Sequence, residues 1–131
     1  MNLRPDTLTL SVLPGRLAIV RMPADATPPA PPASASALWS LTRTADELSL
    51  VCDEAAAPHD AQRSEPGWKA FYVHGPIPFD VTGVIAGLTA SLAGAGIPVF
   101  VISTYDTDYL MVREVHLERA LEVLSGRFQV V

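Results

Sequence analysis

One cysteine, Cys52, stands among 131 residues, so no internal disulfide can form and a reducing compartment suits the chain. Cations are also scarce. Nine Lys and Arg against 14 Asp and Glu leave a formal charge of −5, and the cations form no cluster. Nucleic acid and anionic membrane, which are bound through such clusters, are therefore not expected as partners. No apolar run approaches the roughly 20 residues of a membrane span, and the start, MNLRPDTLTLSVLPG, lacks the apolar core of a signal peptide. The expectation is a soluble cytoplasmic protein.

Sequence signals for catalysis and cofactor binding are equally thin. His59, His74 and His116 lie far apart, without metal-ligand spacing, so no metal and no cofactor is expected. Gly83, Gly87, Gly94 and Gly96 form neither GxxxxGK(S/T) nor GxGxxG, so no phosphate loop is present. Cys52 ends an apolar run and reads as a buried, inert thiol. Asp106 and Asp108 fall where a turn favours aspartate, and no nucleophile accompanies them. No residue is assigned as catalytic.

What the chain has is apolar bulk, 49% of its residues, enough for a sizeable core. The organising stretch is residues 80–109. Val81, Val84, Ile85, Leu88 and Leu92 recur at helical spacing, so one stripe faces a core. Asp80 or Thr82 can cap the helix start, and Gly94 and Gly96 fall where a helix stops. Residues 99–102, Val-Phe-Val-Ile, run without polar relief and read as a strand covered on both faces.

Elsewhere, strands are expected at residues 8–13, 16–22, 38–44, 48–52, 68–73, 109–112 and 127–131, with a last helix over 114–125. The proline- and alanine-rich residues 23–32 read as a surface loop, with a short helical turn at 34–37. Residues 42–47 read as an exposed hairpin with a local ion pair, and residues 53–67 as loop, with one helical turn at 54–57. Trp39 and Trp68 are expected as core or interface anchors. From residue 68 onward the order is βαββαβ, the ferredoxin-like arrangement, with both helices on one face of an antiparallel sheet. The first half has a related order with weaker helices. The expected class is therefore α+β, with residues 1–67 a degenerate N-terminal unit and 68–131 a complete one.

Asp80-Val81-Thr82-Gly83-Val84-Ile85, followed by Ala95-Gly96-Ile97-Pro98-Val99, resembles the helix entry and glycine turn of an ACT domain, with Thr82 where many members carry proline. Residues 102–109, Ile-Ser-Thr-Tyr-Asp-Thr-Asp-Tyr, are similar to a segment of small tandem ACT proteins akin to CASTOR-type arginine sensors, as are residues 41–48. The resemblance implies two ACT-like units side by side, with a ligand at an interface between units or protomers. Residues 99–102 and 110–112 are apolar on both sides, so their second face must meet the first-half sheet or another chain, and a homodimer is a reasonable extension.

Such a site agrees with the residues. Gly83 lets a ligand approach a helix start, where free amides and the helix dipole favour a carboxylate, while Ser103, Thr104 and Asp106 offer hydroxyls and negative charge. A free amino acid presents the complementary groups. The candidate ligand-binding set is Asp80, Thr82, Gly83, Val84, Ile102, Ser103, Thr104 and Asp106. The expected function is a non-catalytic regulatory module sensing an amino acid. The alternatives are an interaction module without ligand and a small enzyme using Asp106 or Asp108.

Overall fold

The computed structural model describes residues 7–34 and 37–131. The expected helical turn at 34–37 falls across residues 35 and 36, outside the described residues. Two compact units divide the chain: residues 7–13 with Lys69–Val131, and Pro14–Trp68.

The first of these carries β1 (Thr9–Val12), the second half of a long strand whose first half belongs to Pro14–Trp68, two helices and three further strands. In chain order these are α1 (Val84–Gly94), a strand at Phe100–Ser103, one at Asp108–Arg113, α2 (Leu117–Ser125) and a short strand at Gln129–Val130. Counting along the whole chain, with β2 (Leu17–Met22), β3 (Ser40–Arg43), β4 (Leu48–Asp53) and β5 (Arg63–Val73) from or entering through the second unit, these last strands are β6, β7 and β8. Within the helix-bearing unit the strands lie in the order β8-β1-β5-β7-β6. The βαββαβ order is present, and the chain is α+β. One feature departs from the simple pattern: β1 lies between β5 and β8, antiparallel to β5 (Leu10 opposite Val73) and parallel to β8 (Leu10 opposite Val130).

Alternation along the strands decides which side chains meet the helices. Leu10, Phe71, Val73, Leu110 and Val112 pack with Val84, Leu88 and Leu92 of α1 and Ala120 and Leu124 of α2 in one buried cluster. Both helices therefore cover the same sheet face. Helix α1 ends where Gly96, at φ 73°, takes the left-handed conformation that costs glycine little. Ile97 N–H then donates to Leu92 O at 3.0 Å and Gly96 N–H to Ala93 O at 2.9 Å, the paired bonds of a Schellman stop. Strand β6 departs from expectation: its residues are half-buried or exposed rather than covered on both faces. Among the described residues it pairs β7 alone and forms the sheet edge, with Val101 toward the helices.

In the unit Pro14–Trp68 the order is β3-β4-β2 and then the first half of β5. Strand β5 starts at Arg63, five residues before the expected Trp68, so the last third of the sequence read as loop before it is strand. Ala18, Val20, Met22, Leu48, Leu50 and Cys52 make the core, with Trp39 and Leu41 packed against it. The β3–β4 turn closes through Thr44, whose N–H donates to Glu47 O and whose Oγ1 accepts from Asp46 and Glu47 N–H. Arg43 makes no ion pair in this hairpin. Its guanidinium donates to the carbonyls of Ala24 and Ala26, which ties the proline-rich segment to β3. The cation beside Glu47 is Arg21, at 3.9 Å.

Candidate functional site

Two connections in the helix-bearing unit build a cavity: residues 74–83, which carry the chain from β5 into α1, and residues 104–107, the corner between β6 and β7. A bond from Ile77 N–H to Asp106 O, 2.6 Å long, joins them. Gly75 makes that approach sterically feasible, since a Cβ there would lie 2.8 Å from Asp106 O and 3.2 Å from Thr107 Cβ. Thr107 fixes the corner from below. It is buried, and its hydroxyl donates to the Val73 carbonyl at the end of β5. The corner closes on itself through Thr104 N–H to Thr107 O at 2.8 Å, and Thr104 Oγ1 accepts from Thr107 N–H.

The resulting cavity, about 370 Å³ in volume, is lined by Gly83, Val84, Ile85 and Ala86 on the helix side and by Ser103, Thr104, Thr107 and Asp108 on the hairpin side. Ile77, Pro78, Phe79, Val81 and Tyr105 complete it. That volume falls in the range of about 300–1,000 Å³ typical of small-molecule sites.

The helix start is bare. Gly83 is the N-cap, at φ 88°, with no side-chain cap, and no acidic residue occupies the first turn. Asp80 and Thr82, expected as caps, lie before the helix and are exposed. A left-handed residue at 83 turns the chain into the helix only at Val84, too late for their side chains to reach the first amides. The opening amides of α1 thus carry the positive end of the helix dipole without an internal counter-charge. Across the cavity the Asp108 carboxylate accepts from Ser103 Oγ at 2.5 Å.

Of the residues expected from the sequence, Gly83, Val84, Ser103 and Thr104 come together on this cavity, whereas Asp80, Thr82, Ile102 and Asp106 are not among its lining residues. Ile102 pairs with Tyr109 across β6 and β7, and the Asp106 backbone carbonyl holds Ile77. Sequence reasoning missed the lining roles of Phe79, Tyr105 and Thr107, and read Asp108 as a turn residue or, in the enzyme alternative, a catalytic acid. The apolar residues between prolines 76 and 78 and residue 84 were the available signal for the near wall. A serine–histidine contact, Ser11 Oγ to His74 Nε2 at 2.6 Å, lies outside the lining. Cys52, in the other unit, is buried, and desolvation followed by the neighbouring Asp53 charge raises its thiol pKa, which keeps it protonated and unreactive.

The geometry defines a class first: an α+β, ferredoxin-like unit with a small-molecule-sized cavity at a bare helix start. The model of the ACT domain family matches residues 63–126. A protein of Agobacterium tumefaciens of known crystal structure is 37% identical, superposes with a TM-score of 0.82, and is matched over 95% of this chain and 92% of its own. A Vibrio cholerae protein of unknown function is similar at 16% identity and a TM-score of 0.69, over 95% of this chain and 93% of its own. The regulatory subunit of aspartate kinase from Thermus thermophilus shares the fold at 12% identity and a TM-score of 0.56, over 87% of this chain and 92% of its own. The chain belongs to the ACT domain family. ACT domains are regulatory, non-catalytic modules that bind amino acids. Among the described residues no helix is long and apolar enough to cross a membrane, and no three His, Cys, Asp or Glu side chains are placed to hold a metal.

Proposed function

We propose that this chain is a non-catalytic sensor of a free amino acid, with the cavity between α1 and the β6–β7 corner as its binding site. One observation carries the reading: a bare helix start and a hydroxyl-carboxylate corner face the same cavity of about 370 Å³. The ligand carboxylate would accept from the amides opening at Val84, the geometry by which helix starts bind anions. The ligand ammonium would lie against Asp108, Ser103 and Thr104. A second ACT-type unit, supplied by another copy of the chain, completes the site in this reading, and the ligand acts by favouring one arrangement of the assembly. An ACT domain over residues 68–131 that takes β1 from the start of the chain, a degenerate unit over the remainder of residues 1–67, and a cytoplasmic place belong to the same proposal. The bonding of Asp108 to Ser103 and the absence of Asp106 from the cavity lining favour this over an aspartate-based enzyme.

The test is a thermal-shift screen of the twenty amino acids at millimolar excess, with sedimentation velocity in parallel. A ligand present at 100 times its dissociation constant stabilises the native state by about 2.7 kcal/mol. The expected result is a concentration-dependent rise in melting temperature, weakened by Ser103→Ala together with Asp108→Asn. Absence of any shift across the panel would refute the sensor.

A further inference from the structure

The cavity carries an aromatic pair that the amino-acid reading alone does not use. The rings of Phe79 and Tyr105 lie 4.8 Å apart at 80°, an edge-to-face contact between two different loops. They are 76% and 79% exposed, although large apolar groups gain by leaving water. Both line the cavity, and Ile77, Pro78, Val81 and Val84 extend the apolar wall. The charge on the lining is one-sided: Asp108 contributes a carboxylate, and no Lys, Arg or His is among the lining residues.

Resting on the proposed amino-acid site, we infer that its ligand is a neutral amino acid with an apolar side chain, aromatic before aliphatic, and that Phe79 and Tyr105 set this specificity. A second carboxylate on the ligand would enter a wall that offers it no cation and already holds Asp108. A second ammonium would compete with the ligand's own amine for that one carboxylate. An apolar side chain instead covers the two exposed rings, and an aromatic one adds the favourable edge and face geometry of ring pairs. The rings meet across loops held by the Ile77–Asp106 bond, so the wall exists before ligand arrives.

Calorimetric titration of the full chain with phenylalanine, leucine, alanine, glutamate and arginine tests the inference. Phenylalanine should bind tightest, leucine next, and alanine at least about tenfold weaker than phenylalanine, with no measurable binding of glutamate or arginine. Phe79→Ala and Tyr105→Ala remove exposed side chains, so both variants should melt like the parent. Each should weaken phenylalanine about tenfold while Phe79→Tyr retains its affinity. Glutamate or arginine as the tightest ligand, or phenylalanine affinity unmoved by both ring deletions, overturns the inference and leaves the amino-acid site standing. Failure of every amino acid to bind overturns both.

Discussion

Gly75 has no room for a side chain, and this constraint holds the cavity's two walls together. The nearest atom is a backbone carbonyl, Asp106 O at 2.8 Å from an added Cβ, so relief requires the loop to move rather than a side chain to rotate. Gly75→Ala should therefore cost about 1–3 kcal/mol in urea unfolding, the usual penalty of overpacking, and should also loosen the Ile77–Asp106 tie. Gly94 is the contrast. It lies in the last turn of α1 with nothing within 4 Å of an added Cβ. Gly94→Ala should stabilise by about 0.5–1 kcal/mol, because alanine loses less backbone entropy on folding. Equal effects at the two positions would contradict this account. Residue-scale features of this kind are poorly legible in sequence: glycines 75 and 94 look alike as letters, and only the fold brings a carbonyl against one of them. Thr107 is similar, a polar residue in a polar run that folding buries beneath the Val73 carbonyl.

At the scale of elements, helices were the easiest to read. The stripe Val84, Leu88, Leu92 needs only local spacing, and all three are buried against the sheet. The start of β5 was hidden because residues 63–67 are exposed and mostly polar, and an exposed strand end lacks the alternation that marks strands. Strands β4 and β7 each carry an acid that prefers to stay neutral. Burial, and secondarily Asp53, raise the Cys52 thiol above its ordinary 9.0. Burial, and secondarily Tyr72, raise the Tyr109 phenol above its ordinary 10.0. The unfolded chain releases these protons first, so the native state binds more protons than the unfolded state through the alkaline range, and stability falls as pH rises there. The thiol contribution is intact below pH 9.0 and is lost as pH climbs through the raised native value. The phenol follows the same course from pH 10.0. Chemical denaturation between pH 7 and 11 should show this decline, with a shallower slope in Tyr109→Phe above pH 10. A flat profile would contradict the raised values.

For the whole molecule, the consequential feature is the position of β1. Pairing between residues 10 and 73 and between residues 10 and 130 is non-local, and no periodicity or turn signal encodes it. The sequence order from residue 68 to 131 nonetheless supplied the helices and the strand succession of the fold, and of the eight residues expected at the helix entry and hairpin corner, four line the cavity. The energetic consequence follows from burial. Leu8 and Leu10 are 3% and 0% exposed inside the core of the helix-bearing unit, where each buried leucine contributes about 1.5–3 kcal/mol. Without β1, the β5 and β8 edges also lose their shared partner, and backbone groups in that gap have no ladder. A fragment of residues 69–131 should therefore not fold cooperatively, since the loss is comparable with the whole stability of a small domain. A single chain joining residues 7–13 through a flexible linker to residues 69–131 should regain a cooperative melt and the helical circular dichroism signal. Cooperative folding of residues 69–131 alone would show that β1 is an ornament of the sheet rather than a member of its core.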